Sequence, residues 1–250
     1  MENRSHYNKS TVVNIKNLKK SFTNNQVLEN INLKITRGEN AVIIGKSGIG
    51  KSVLIKCMVR LFKPDEGTIE VFGKDVSSLN EMELSRVRKR IGFLFQGNAL
   101  YDSMTVRENL EFPLIRNKLV EKKEELDARV YEALDNVGLR SAVDLLPSEL
   151  SGGMKKRIGL ARTLILEPEI ILYDEPTTGL DPITSKEISN LIINLQEKYH
   201  TTSVIITHDI SCVKLTANII HVIRDGRIYK SGKYNELKAS EDPWIFDFFN

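Results

Sequence analysis

The chain has 250 residues, of which 41% are hydrophobic and 28% charged, and its formal charge is +3. This balance excludes disordered, collagen-like and coiled-coil chains, and it provides no field that by itself calls for nucleic acid. Two cysteines, Cys57 and Cys212, exclude a disulfide scaffold and fit a reducing compartment. No apolar run reaches the ~18 residues that a membrane-spanning helix needs. The N-terminal segment MENRSHYNKS lacks the apolar core of a signal peptide. The expectation is a cytoplasmic protein that reaches a membrane only through a partner.

In chain order, Ile31, Leu33 and Ile35 alternate with Asn32, Lys34 and Thr36, the pattern of a half-buried strand. Ala41–Ile44 is an apolar run ending in glycine and predicts a buried strand, followed by a helix-like run over Val53–Phe62. Thr68–Phe72 and Ile91–Phe95 are further strand candidates, and the basic run Arg86–Arg90 reads as a solvated helix face. Between Glu121 and Val137, the apolar residues Leu126, Val130, Ala133, Leu134 and Val137 share one helical face. A second helix is expected from Gly152 to Ile165. Buried strands return at Ile170–Tyr173 and Ser203–Thr207. Between them a helix opens at Asp181-Pro182, with the stripe Ile188, Leu191, Ile192 and Leu195. Asp225-Gly226 predicts a hairpin with a type I′ turn. The tail, Asp242–Asn250, holds Trp244, Phe246, Phe248 and Phe249. Alternation of strands and helices predicts an α/β sheet covered on its faces.

Residues 45–52 read Gly45-Lys46-Ser47-Gly48-Ile49-Gly50-Lys51-Ser52, the G-x-x-x-x-G-K-[ST] phosphate loop, set between a buried strand and a helix. The glycines let backbone N–H groups turn inward, and the helix N-terminus adds partial positive charge. Lys51 is placed to reach β- and γ-phosphates, and Ser52 offers a hydroxyl to Mg²⁺. The apolar strand 170–173 delivers Asp174 and Glu175 to its C-terminal end. Asp174 is expected to hold Mg²⁺ and Glu175 to polarise the attacking water. Alone, such a pair also fits a solvated turn beside Pro176. His208 follows another buried strand, where it can bond a γ-phosphate or serve as a capping or packing histidine.

Leu150-Ser151-Gly152-Gly153-Met154 resembles the LSGGQ signature of ATP-binding-cassette (ABC) ATPases. Gln96 matches the family's Q-loop, Thr178-Gly179-Leu180-Asp181 its D-loop and His208 its switch histidine; Phe22 stands where the family packs an aromatic on adenine. The resemblance covers essentially the whole chain. It implies an ABC ATPase fold: a P-loop (RecA-like) core sheet, an antiparallel β subdomain and an inserted helical subdomain. The corresponding division is 1–96 and 166–240 for the nucleotide-binding core with the β subdomain, 97–165 for the helical signature subdomain and 241–250 for an aromatic tail. The resemblance also implies ATP and Mg²⁺, the latter held by Ser52, Gln96 and Asp174. Two copies would pack head to tail, with Ser151, Gly152 and Gly153 of each contacting the ATP on the other.

Met154 departs from the glutamine usual at that position, and the SGGM form resembles the ATPases of MCE/Mla-type phospholipid transporters. Phe95–Val106, Pro147-Ser148-Glu149, Asp181-Pro182-Ile183-Thr184 and Asp242-Pro243-Trp244 resemble the same branch. That branch implies a separate transmembrane permease, an MCE-domain lipid-binding protein and a location on the cytoplasmic face of the inner membrane. Leu100, Tyr101 and Met104 either meet a permease helix or pack within the domain. The aromatic tail either folds onto its own domain or reaches a second protomer, and Trp244 and Phe248 are expected to anchor it on a neighbouring subunit. The alternatives are the ATPase of another importer or exporter and a soluble Fe–S-assembly ABC ATPase without a permease. Nucleic acid is not expected as a partner.

Overall fold

A computed structural model describes residues 10–23, 25–97 and 99–249; Asn98 of the Phe95–Val106 segment and Asn250 of the tail lie outside them. The chain opens with β1 (Thr11–Phe22), β2 (Asn25–Thr36), β3 (Asn40–Ile44), α1 (Lys51–Met58), β4 (Glu66–Val71), β5 (Lys74–Asp75), α2 (Glu81–Arg88) and β6 (Ile91–Leu94). Three helices follow without a strand: α3 (Val106–Arg116), α4 (Lys123–Asn136) and α5 (Gly152–Leu164). The remainder is β7 (Ile170–Asp174), α6 (Pro182–Tyr199), β8 (Thr202–Ile206), α7 (Ile210–Thr216), β9 (Ile219–Arg224), β10 (Arg227–Gly232), α8 (Tyr234–Lys238) and α9 (Pro243–Phe249).

The described strands form one sheet in the order β5-β4-β1-β2-β10-β9-β3-β8-β7-β6. Strands β6, β7, β8, β3 and β9 run parallel, whereas β5, β4, β1 and β2 are antiparallel. The two parts meet where Asn30 of β2 pairs with Arg227 of β10. Arg227 reinforces this narrow seam by bonding Glu29 at 2.6 Å. In the parallel part, side chains of period two divide between two buried faces. Val42, Ile44, Ile171, Tyr173 and Ile205 pack with α3 to α6, while Ala41, Ile43, Ile170, Leu172 and Val204 pack with α1 and α2. Burial on both faces is why these strands read as unbroken apolar runs.

The strand β1 escapes a periodicity reading because Asn17 adopts φ 49° and the register shifts between Ile15 and Leu18. That irregularity breaks the alternation of buried side chains. The helix expected over Val53–Phe62 starts earlier, at Lys51, and ends at Met58; Arg60 at φ 52° carries the chain away. The strand expected over Thr68–Phe72 stops at Val71, because Phe72 turns at φ 52°. The hairpin at Asp225-Gly226 has φ 49° and 67°, the double positive φ of a type I′ turn.

The basic run is only partly a solvated face. Arg88 donates to the carbonyls of Val59 and Arg60 at 2.8 and 3.0 Å. Arg90 bonds Glu169 at 2.5 Å and lies 3.6 Å from the centre of the Phe72 ring. The aromatic tail forms α9 and packs on its own chain. Ile245 and Phe249 are buried, and Trp244 contacts Tyr229 and Phe248 at centroid distances of 5.7 and 4.8 Å. The two residues expected to anchor a neighbouring subunit are therefore half-buried in cis, because Asp242 caps the helix through Trp244 N and turns its apolar side back onto the core. Phe246 alone of the four aromatics is strongly exposed, at 50%.

His221 on β9 is 7% exposed, and its Nδ1 lies 2.8 Å from Ser231 Oγ. Burial pushes its pKa down to about 4 from 6.5. The unfolded chain therefore binds this proton more readily than the folded one, so the stability contribution is complete above pH 6.5 and is lost as pH falls towards 4. We expect His221→Gln to shrink the loss of stability between pH 7 and 4.5 by roughly 2–3 kcal/mol, measured by urea unfolding at both pH values. Equal acid sensitivity of the two proteins would contradict this account.

Candidate functional site

The carboxyl edge of the parallel strands collects one set of the predicted residues. Gly45–Ser52 follows β3 and leads into α1. Gly50 caps α1 at φ 104°, and a Cβ there would lie 2.6 Å from Val27 Cγ1, so both backbone angle and space require glycine. The caps of α2, α3, α5 and α6 use side-chain acceptors, but α1 has no side-chain cap bond. No side chain consumes α1's first N–H groups, which leaves them available to an anion.

Lys51 is 7% exposed, and its Nζ donates to the carbonyls of Gly45 and Lys46 at 2.9 and 3.2 Å. Its ammonium therefore sits in the concavity of the loop. Burial lowers its pKa, while the carboxylates of Glu175 and Asp174 oppose that shift. Ser52 Oγ donates to Asp174 Oδ1 at 2.7 Å, joining the phosphate loop to the end of β7. Among the described residues, no three His, Cys, Asp or Glu side chains sit together as a metal cage. The Ser52–Asp174 pair is a set of hard oxygen donors. It fits Mg²⁺, which typically takes one or two protein ligands and completes its shell with phosphate oxygens and water.

Glu175 adopts φ 53°, a left-handed backbone rare outside glycine, and its N–H is fixed to Ile206 O at 2.9 Å. Its Oε2 lies 2.8 Å from His208 Nδ1 and accepts from Thr178 Oγ1 at 3.1 Å. Thr177 bonds Asp209, which in turn caps α7 through Ser211 N and Cys212 N. The turns after β7 and β8 are thereby held together. Phe22, at the end of β1, is 39% exposed and meets Phe62 edge-on at 5.1 Å. Gln96 is exposed just beyond β6.

The predicted signature is placed elsewhere. Ser151 caps α5 by accepting from Met154 N at 3.2 Å, which leaves Gly152 and Gly153 in the first turn. They line a concavity of about 570 Å³ with Gly179, Leu180 and Asp181. None of the residues lining it belongs to the phosphate loop. Asp181 caps α6, accepting from Ile183 N and Thr184 N at 3.0 Å. A single chain thus carries two separate surfaces, one built on the phosphate loop and one on the signature.

One residue at the first surface was absent from the sequence reading. Lys156 on α5 is 3% exposed and donates to Gln96 O at 2.7 Å. Burial lowers its pKa against the opposing fields of Asp174 and Glu175. Its sequence signal was a charged residue in register with Leu160 and Leu164, on the buried face of a helix.

A phosphate loop on a parallel sheet, with an acidic pair at the end of the next strand but one and a histidine on the glutamate, defines a P-loop nucleotide hydrolase. The ABC transporter family pattern matches residues 28–178, and the chain belongs to that family as an ATP-hydrolysing subunit that powers transport. It is 37% identical to the intermembrane phospholipid transport system ATP-binding protein MlaF of Haemophilus influenzae, an alignment covering 95% of this chain and 89% of that one. It is also 37% identical to the probable ribonucleotide transport ATP-binding protein mkl of Mycobacterium leprae, covering 95% and 68%. With the methionine import ATP-binding protein MetN of Clostridium tetani it shares 41% identity, covering 91% and 70%. Among solved structures, the ATP-binding cassette MJ0796, dimeric and bound to ADP and Pi in a post-hydrolysis state, superposes with a TM-score of 0.81 at 35% identity, covering 88% of this chain and 98% of that one.

Proposed function

We propose that the chain is the ATPase of an MCE/Mla-type phospholipid transporter and works as a head-to-tail dimer. The observation that carries the dimer is the separation of its two surfaces: Lys51, Asp174, Glu175 and His208 gather at one, and Ser151, Gly152 and Gly153 at another. Neither surface alone surrounds a triphosphate, and a two-fold pairing brings each to the other. The backbone N–H groups of α5's first turn then meet the γ-phosphate held by the partner copy's loop.

In this reading Lys46–Ser52 cradles the phosphates, Lys51 neutralises the β- and γ-oxygens and Phe22 packs against adenine. Ser52 and Asp174, with the Gln96 side chain, would hold Mg²⁺; the ion supplies charge neutralisation on the phosphate oxygens. Glu175 orients the attacking water and takes up its proton, and His208 holds that carboxylate and reaches towards the γ-phosphate. Asp181 stands at the dimer face. Residues 1–96 and 166–240 act as the nucleotide-binding core and 97–165 as the arm that carries the signature.

Among the described residues, no helix is long and apolar enough to cross a membrane, and the transporter relatives favour coupling to a separate permease. We place the permease docking site at Tyr101 and Met104, beside Leu100, which is partly buried against the chain's own core. Tyr101 is 42% exposed and its ring borders Phe112 at 5.1 Å, beside exposed Ile115. Docking there puts the ATPase on the cytoplasmic face of the membrane. The MlaF likeness and the Met154 signature favour the lipid branch; the MetN likeness favours an amino-acid importer, and the mkl likeness a ribonucleotide transporter. Affinity purification of the tagged chain in mild detergent decides between them. Recovery of a permease with an MCE-domain protein is the expected result. A permease with a solute-binding protein overturns the lipid branch, and a soluble partner set with no permease overturns transport itself.

A further inference from the structure

Between β6 and α3 the described residues form no helix or strand, yet side chains of two helices hold carbonyls among them. Lys156 Nζ donates to Gln96 O at 2.7 Å, and Arg162 Nη1 donates to Ala99 O at 2.8 Å. Both residues lie on α5, roughly 9 Å apart along the helix axis at 1.5 Å per residue. From α3, the fully buried Asn109 accepts from Tyr101 N at 2.8 Å and donates to Tyr101 O and Met104 O at 3.1 and 3.0 Å. Arg162 Nε bonds Asn109 O at 3.1 Å, which closes the frame. Ala99 is held at φ 51° within it.

The two α5 contacts differ in kind. Arg162 is a surface clamp, its guanidinium over the Tyr101 ring at 4.8 Å. Lys156 is buried, and a buried ammonium needs compensating charge as well as a hydrogen-bond partner. Asp174 and Glu175 supply that charge, and Gln96 O supplies the bond. The same ammonium therefore touches the loop from the helix whose first turn is the signature.

We propose that Lys156 is a positioning residue of the ATPase site: it fixes the Gln96 main chain and so ties the loop to the signature helix. The proposal rests on the placement of Gln96 in the nucleotide site, which Gln96→Ala tests by itself. Lys156→Met is expected to lower kcat about tenfold with KM changed less than about twofold, and Lys156→Arg to restore most of the rate. In a Gln96→Ala background, Lys156→Met should cost less than about a further twofold. A full-sized loss in that background, or none in the parent, overturns the proposal. Parent-like turnover of Gln96→Ala overturns the placement of Gln96 instead. Hydrogen exchange in the chain without nucleotide gives a second readout. The amides of 99–104 should exchange about tenfold faster in Lys156→Met and regain protection in Lys156→Arg; unchanged exchange overturns the proposal. Should Lys156→Met not fold, Lys156→Ala, which removes the donor and the charge together, is read in the same way.

Discussion

Glu175→Gln is expected to lower kcat for ATP hydrolysis by about 100-fold or more, while nucleotide affinity changes by less than about twofold. The amide keeps the size of the carboxylate and one acceptor oxygen, so the bond from Thr178 and the anchoring of Glu175 N to Ile206 O survive. It loses the negative charge and the capacity to accept a proton from water. The position is sensitive because the φ of 53° and the His208 contact at 2.8 Å both aim the same group. Strain of this kind persists only where surrounding contacts over-determine it. A second consequence follows from the two-surface arrangement. With ATP bound but not cleaved, the charge joining the two copies remains, so the variant should run as a dimer on size exclusion with ATP and Mg²⁺. Near-normal turnover would remove Glu175 from its role. Slow turnover without a dimer would leave Glu175 in place and count against the proposed sandwich.

Lys51→Ala is expected to weaken ATP binding itself by roughly ten- to hundredfold, the range set by about 1.5–3 kcal/mol for hydrogen bonds to a charged group. The ammonium lies within the loop, 2.9 Å from Gly45 O, where the proposed function places the phosphates. Removing it also deprives two carbonyls of a donor, so thermal stability should fall modestly, by about 1 kcal/mol per lost bond. Titration calorimetry with ATP measures the first effect and a thermal melt the second. Unchanged ATP affinity would exclude Lys51 from the site. The contrast between the variants is diagnostic: one should retain binding and lose turnover, while the other loses binding first.

Much of the site was legible in the chain because its parts are local. The phosphate loop needs particular glycines at particular steps, and Gly50 at φ 104° shows why substitution there is excluded. The strand 170–173 announces Asp174 and Glu175 because an apolar run buried on both faces must end where the chain turns towards solvent. Asp181-Pro182 marks a helix start because the cap forms within four residues. The reading weakened where the causes were distant. Strand β1 was hidden by its bulge, and α1 was displaced by two residues because its cap is a left-handed glycine instead of a polar side chain. The tail's aromatics left open packing in cis or on a neighbouring subunit, and the fold shows the contacts made in cis. Tyr229 and the Asp242 cap provide the surface and the turn that bring Trp244 home.

By itself the sequence determined the chemistry available: a loop for phosphate, an acidic pair, a histidine and a glycine pair at a helix start. Those follow from bonds that close within a few residues, so a short string of side chains suffices to specify them. Only the tertiary structure decided which of them meet. The parallel pairing of β3, β8 and β7 carries Ser52 to within 2.7 Å of Asp174 and sets His208 on Glu175, while α5 leaves its glycines on a separate face and turns Lys156 inward to Gln96 O. These contacts join residues remote in the chain, and they exist because burying both faces of the sheet fixes strand order and register. No local propensity encodes that order.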